Sequence, residues 1–160
     1  MATLRTARPE DREEIRRIDT ATWSPRVTPG PRPAAESDPL ARFGAANVIV
    51  AEADEGLAGY LILGDWTDLD SARHVGEVKG LAVDPARQGE GIGGELLDAG
   101  IERARAAGRR RLRLRVLGGN AGARRLYESR GFEVEAVLPE SFLLEGGYVD
   151  DVFMALDLTR

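Results

Sequence analysis

The sequence contains no cysteine, one histidine and one lysine among its 160 residues. The absence of cysteine excludes disulfides, thiolate metal sites and a cysteine nucleophile. Because His74 is the single histidine, a histidine-rich metal centre is not expected, and we predict that the protein needs no metal. No run of residues approaches the roughly 20 apolar positions of a membrane helix.

The first nine residues carry charges and lack the apolar core of a signal peptide, which favours a cytoplasmic protein without a membrane partner. Apolar residues make up 42% of the chain and charged residues 31%, as in ordinary globular proteins. A length of 160 residues suits one domain, predicted to span residues 1–160.

Positive charge is concentrated in one segment. The net charge is −5, and 21 of the 22 basic residues are arginine, which weakens any single arginine as a functional signal. Residues 103–125 contain nine arginines and no acid, so the rest of the chain carries −14. A basic island in an acidic chain favours one local polyanionic partner, and nucleic acid is not predicted as a partner.

Apolar periodicity and turn residues predict the order β-α-α-β-β-β-α-β-α-β-β, an α/β chain. The clearest helix is predicted over residues 91–107, where apolar side chains recur on one face. A half-exposed strand over 111–117 alternates arginine with leucine or valine. A strand is also predicted over 74–83, in which Gly80 indicates a bulge. The proline-rich segment 24–39 reads mainly as a loop.

Residues 89–94 contain G-x-G-x-x-G after a strand and before a helix, so a dinucleotide-binding enzyme must be considered. Residues 84–88 separate the loop from its strand, however, and the next strand ends in Val116-Leu117-Gly118 without the acid that would bind a ribose. Three strands also precede the strand that leads into this loop, although a Rossmann unit would begin with that strand. This reading and a plain tight turn are therefore the less favoured alternatives.

The same loop resembles another pattern more closely. Gln88-x-x-Gly91-x-Gly93 is similar to the Q/R-x-x-G-x-G motif of the GCN5-related N-acetyltransferase (GNAT) family. Glycines let main-chain N–H groups approach phosphate oxygens, and a helix N-terminus adds partial positive charge. A second, independent segment also matches a family motif: Asn120-x-x-Ala123-x-x-Leu126-Tyr127-x-x-x-Gly131-Phe132. The resemblance covers most of the chain, from about residue 4 to residue 158.

The resemblance implies an acyl-CoA N-acyltransferase fold. Its mixed, mostly antiparallel sheet would splay at the centre between the Gly80 strand and the Arg111 strand, with helices on its flanks. It also implies transfer of an acetyl group from acetyl-CoA to a primary amine of a small molecule or peptide. The cofactor residues that it implies are Leu81, Ala82, Val83, Gln88, Gly89, Glu90, Gly91, Ile92, Gly93, Gly94, Asn120 and Tyr127. Arg124, four residues after Asn120 and near the same helix face, is added as a candidate contact of a cofactor phosphate.

Two side chains occupy positions that are catalytic in the family. Tyr127 matches the residue that protonates or hydrogen-bonds the leaving sulfur, and Glu77 matches a general base that acts through water. The main-chain amide of Leu81 or Val83 would polarise the carbonyl. The alternatives are that Tyr127 only packs and that Glu77 is a strand residue paired with Arg111 or Arg113. His74, Asp150 and Asp151 are weaker candidates for contact with the amine.

The acceptor is not specified by the sequence. Charge segregation favours a cationic acceptor, because acids around the entering amine would attract it. The candidate acids are Asp65, Asp68, Asp70, Glu77, Asp150 and Asp151. A module that binds acyl-CoA without turnover is the main alternative function, and the oligomeric state is open, with a homodimer among the options.

Overall fold

The computed structural model describes residues 2–160 and confirms the expected α/β fold. A single seven-stranded mixed sheet has the strand order β1-β2-β3-β4-β5-β7-β6. The elements are β1 (Thr3–Thr6), α1 (Arg12–Thr22), α2 (Pro39–Phe43), β2 (Val48–Ala53), β3 (Gly56–Asp65), β4 (Val75–Val83), α3 (Ile92–Ala106), β5 (Arg111–Leu117), α4 (Ala121–Ser129), β6 (Glu133–Leu144) and β7 (Gly147–Asp157).

Both faces of the sheet are covered, because alternate residues of a strand point to opposite faces. On one face, Leu96 and Leu97 of α3 pack with a cluster that includes Leu112 and Leu114 of β5. On the other face, α1 contributes Ile15 to a cluster that includes alternate residues of β2 and β3. The sheet is thus held between α1 and α3.

The sheet splays at its centre, as predicted. Strands β4 and β5 run parallel and pair only over residues 75–77 and 111–113. On the other side of β4, the partner of β3 changes from Gly80 to Val78 in one step, which leaves Lys79 as the extra residue of a bulge. A bulge bends and twists its strand. Beyond the bulge, residues 78–83 form no ladder with β5 anywhere in the described chain.

The second half of the chain is a hairpin whose outer strand is longer than expected. The sequence predicts that this strand ends at Leu138, but β6 continues to Leu144. An edge strand tolerates proline, so Pro139 lies within β6, and the ladder shifts register between Leu138 and Phe142. Side chains along this edge are exposed, Leu143 to 67%. None of the helices within residues 2–160 is long and apolar enough to cross a membrane.

One glycine of β3 lets the site strand approach closely. A Cβ on Gly59 would lie 2.7 Å from the carbonyl oxygen of Ala82 and 3.1 Å from Cδ1 of Leu96. We predict that Gly59→Ala lowers the free energy of unfolding by about 1–3 kcal/mol, the usual cost of overpacking. The matched change Gly122→Ala, where a Cβ meets nothing within 4 Å, should be neutral or slightly stabilising. Urea unfolding of both variants measures this, and equal stabilities would contradict it.

Candidate active site

The segment between β4 and α3 is anchored at its start by Asp84. Its carboxylate accepts a hydrogen bond of 3.0 Å from the N–H of Ala86, in the 3₁₀ turn Pro85–Arg87. It also pairs with Arg17 of α1 at 2.8 Å. The N–H of Ala86 and then the Arg17 guanidinium hold the pKa of Asp84 below its usual value. The strand end and the following loop are therefore tied to a helix on the opposite face of the sheet.

The glycine loop adopts a conformation that suits an anion. Gly91 is the N-terminal cap residue of α3, and both Gly91 (φ 83°) and Gly89 (φ 87°) are left-handed. A Cβ on either residue would meet nothing within 4 Å, so the loop backbone is open to an approaching group. The first N–H groups of a helix have no acceptor within the helix, and the helix dipole adds positive charge there. The loop can thus receive phosphate oxygens.

A cavity of about 600 Å³, the loop cavity, lies between this loop, the end of β4 and helix α4. Ten of the thirteen predicted cofactor residues line it. The exceptions are Ala82, whose side chain packs beneath α1, the exposed Glu90 and the half-buried Arg124. Lining is a matter of position, so the binding roles of all thirteen remain predictions.

The arginine at the loop cavity differs from the one that the sequence suggested. Arg124 pairs with Glu128 on the surface of α4 at 3.2 Å, outside the cavity lining. Arg87, which was not predicted, lines the cavity and pairs with Glu90 at 2.7 Å. Its position directly before Gln88 could have indicated a residue of the site, but the many arginines in the chain made a single one uninformative.

Tyr127 stands where the loop cavity meets a second cavity. Its ring contacts Phe132 edge to face, with centroids 6.0 Å apart, and the residue is 9% exposed. Burial raises the pKa of Tyr127, so the hydroxyl keeps its proton at neutral pH. Within residues 2–160 no side chain or main-chain group forms a hydrogen bond with this hydroxyl. It is a neutral donor that is available to a bound molecule.

Asn120 also borders both cavities. Its side-chain oxygen accepts a hydrogen bond of 3.2 Å from the N–H of Ala123 and caps α4. The amide NH₂ remains for another partner, so contact with a cofactor stays compatible with the cap.

The second cavity, the central cavity, has a volume of about 530 Å³ and is lined by Tyr127, Asn120, Arg115, Asp151 and Phe142 among others. Asp151 is 3% exposed and binds Arg115 through both carboxylate oxygens, at 2.5 and 3.4 Å. The hydrogen bonds with Asp151 raise the pKa of Arg115 above its usual value. A buried carboxylate is thus compensated by an arginine that lies in the cavity wall.

A third cavity, the aromatic cavity, has a volume of about 580 Å³ and is lined by Phe43, Trp66, Phe153, Glu77, Lys79 and Arg115 among others. Glu77 is 9% exposed, and its carboxylate pairs with the Lys79 ammonium. The proposed pairing of Glu77 with Arg111 or Arg113 was wrong. Both arginines bind Glu135 of β6 instead.

The remaining acids do not surround this site. Asp65 pairs with Arg73 and Arg109, and the side chain of Asp150 accepts from the N–H of Glu140. None of the three cavities is lined by His74 or by four of the six candidate acids: Asp65, Asp68, Asp70 and Asp150. The two acids that do line them are each paired with a cation. The argument for a cationic acceptor therefore loses its main support.

The comparisons identify the family. The sequence model of the Acetyltransferase (GNAT) family matches residues 12–132. The chain belongs to the GNAT family. A GNAT relative from Pseudomonas paraeruginosa, an L-methionine sulfoximine/L-methionine sulfone acetyltransferase, is 32% identical over 139 residues, which cover 87% of this chain and 80% of the relative.

Two further GNAT proteins are similar to the chain. The L-methionine sulfoximine/L-methionine sulfone acetyltransferase of Salmonella typhimurium is 36% identical over 111 residues. That match covers 69% of this chain and 64% of the relative, which is less than two thirds of the relative's length. The solved structure of the Salmonella typhimurium acetyltransferase yncA with its cofactor acetyl-CoA has a TM-score of 0.88 and 30% identity, covering 100% of this chain and 95% of that one.

Proposed function

We propose that the protein is an N-acetyltransferase that moves an acetyl group from acetyl-CoA to the primary amine of a small acceptor. The observation that carries this proposal is that the three cavities adjoin one another through shared lining residues. Tyr127 is shared by the loop cavity and the central cavity, and Arg115 by the central and the aromatic cavity, which also holds Glu77. Membership of the GNAT family and the acetyl-CoA complex of yncA support it.

The residues at the loop cavity fit coenzyme A. The open backbone at Gly89 and Gly91 and the N-terminus of α3 would hold the pyrophosphate. The unpaired side of β4 at residues 81–83 would bond the pantetheine arm as an added strand does, and Asn120 would contact the same arm. The predicted contact of Arg124 with a phosphate remains a proposal. Arg87, which lines the loop cavity, is proposed as a second arginine for the phosphates.

The chemistry needs one net proton transfer. Bound acetyl-CoA supplies the acetyl group as a thioester, whose C–S bond breaks as the amine nitrogen forms the new C–N bond. Glu77 takes the proton that the amine loses, through a water molecule, and Tyr127 gives its hydroxyl proton to the departing sulfur. The proton on Glu77 then returns through solvent to Tyr127, which restores both groups. A main-chain N–H of β4, at Leu81 or Val83, stabilises the negative charge that develops on the carbonyl oxygen.

The acceptor proposed here is a small molecule of the amino acid class. The relatives in Salmonella and Pseudomonas are named for methionine sulfoximine and methionine sulfone, which are amino acid derivatives. Arg115 keeps donors that Asp151 does not use, which agrees better with an acceptor that carries a negative group than with a purely cationic one. A binding module without turnover would bind acetyl-CoA and acetylate no amine.

A homodimer is part of the same proposal. Strand β6 is an edge strand, and such an edge with exposed Val137, Leu138 and Leu143 invites pairing with another strand. A second copy would satisfy the free main-chain groups of β6 through a twofold arrangement. The molar mass of the protein in solution tests this assembly.

Cofactor binding can be tested on the α4 wall of the loop cavity. Gly122 lines this cavity, whereas its exposed neighbour Ala121 does not. We expect Gly122→Leu to weaken acetyl-CoA binding by at least about 10-fold, equivalent to about 1.4 kcal/mol, because the new side chain occupies the cavity. Ala121→Leu adds a similar side chain outside the cavity and should leave the affinity unchanged. Titration calorimetry measures both, and equal affinities would exclude this cavity.

The two catalytic assignments predict a specific kinetic pattern. Glu77→Gln and Tyr127→Phe should each lower kcat by about 10- to 10⁴-fold while acetyl-CoA affinity stays within about twofold of the wild type. Glu102→Gln, an exposed change on α3, serves as the control. Because the pKa of Tyr127 lies above its usual value, ionisation of Tyr127 should cause no loss of activity below about pH 10. Full turnover by either variant when chemistry limits the rate would remove that residue from the mechanism.

A further inference from the structure

Arg115 is the residue at which the central and aromatic cavities meet. Its side chain is 49% exposed, although it contacts a carboxylate that is almost wholly buried. A guanidinium has five N–H donors, and Asp151 accepts two of those of Arg115. The other three donate to no group in the described part of the chain. Charge and donors therefore remain for a molecule in the cavities.

The guanidinium is fixed before any ligand arrives. Asp151 holds one edge of it, and the group lies 5.1 Å from the centroid of the Phe153 ring. A planar fork held in this way loses little entropy when it binds a carboxylate through two hydrogen bonds. Arg113, two residues earlier in β5, is not available to a ligand in this way. Its guanidinium pairs with Glu135 and lies 4.9 Å from the centroid of the Trp66 ring.

The surroundings of Arg115 define two further chemical features. Glu77 lies in the wall of the same aromatic cavity, so the proposed base and the guanidinium face one shared space. Trp66 and Phe153 meet edge to face at 5.9 Å and, with Phe43, give that space an apolar wall. A ligand with an anionic group, an amine and an apolar side chain on one carbon would match all three.

We propose that Arg115 binds the carboxylate of an α-amino acid acceptor and that the aromatic cavity takes its apolar side chain. The proposal rests on the acetyltransferase function proposed above and adds the residue that selects the acceptor. In an α-amino acid the amine and the carboxylate share one carbon, so fixing the carboxylate at Arg115 directs the amine toward Glu77. A peptide N-terminus has an amide in place of this carboxylate and would lose the contact.

The test compares L-methionine with L-methionine amide, which differ only in the carboxylate. We expect the wild-type kcat/KM to favour the free amino acid by at least about 10-fold, because the amide leaves the Arg115 donors without their charged partner. Measuring both acceptors at one pH and correcting for the neutral fraction of each amine isolates the effect of the carboxylate.

Variants then assign the preference to Arg115. Because Arg115→Gln alone would leave Asp151 buried without a cation, the double variant Arg115→Gln/Asp151→Asn is made as well. In either variant that folds, the ratio of kcat/KM for the two acceptors should fall to about 1, whereas Arg113→Gln should keep the wild-type ratio. Circular dichroism and acetyl-CoA affinity verify the fold.

Three outcomes would overturn this assignment: a wild-type ratio near 1, a variant that keeps the wild-type ratio, or acetylation of other amines with neither methionine compound accepted. A different result would contradict the proposed function itself. That result is acetyl-CoA binding with no turnover of any amine by the wild type, which would leave Arg115 with no acceptor to select.

Discussion

The pairing of β4 with β5 ends at Glu77, and the candidate site depends on that limit. The bulge at Lys79 turns the second half of β4 away from β5, and α4 fills one side of the gap with Tyr127 and Asn120. Had the ladder continued, those main-chain groups of residues 78–83 that point away from β3 would be bonded to β5. The gap instead leaves them free beside a glycine loop that is open to an anion.

Two buried polar groups give the gap its chemical asymmetry. Toward the loop, the Tyr127 hydroxyl is neutral because burial raises its pKa. Toward β7, Asp151 is buried and compensated by Arg115, which is half exposed. A neutral donor thus stands next to the loop cavity, while charged groups line the central and aromatic cavities. In the proposed reaction this separation would let the thiol leave on one side while the amine enters on the other.

Local signals in the sequence were sufficient to predict the element order and the glycine loop, whereas the central splay was expected only from the resemblance to the GNAT family. Alternation along 111–117 and the spacing from Asn120 to Tyr127 depend only on neighbouring residues. Contacts between distant strands were not predictable in this way. In the sheet, β7 lies between β5 and β6. The side chains of Arg111 and Arg113 on β5 pair with Glu135 on β6, and Glu77 pairs with Lys79 instead. No periodicity in the sequence indicates that β7 lies between β5 and β6.

The aromatic cavity was missed for the same reason. Trp66 follows the end of β3 in what read as a polar turn, and Phe153 lies on the last strand, so their contact depends on the assembled sheet. Strand β6 continues past Leu138 through Pro139, a residue that a central strand would not accept but an edge strand does. Edge position is a property of the sheet order, which emerges only from the whole fold.

The central claim is that coenzyme A enters the gap beside β4, and amide hydrogen exchange tests it most directly. The account predicts that adding acetyl-CoA slows exchange at main-chain amides within residues 78–83 and 88–94, because these N–H groups gain acceptors. The ladder between β5 and β7 should exchange at an unchanged rate, since its amides are already paired. Protection confined to other segments, or none at β4 despite saturating acetyl-CoA, would contradict the account.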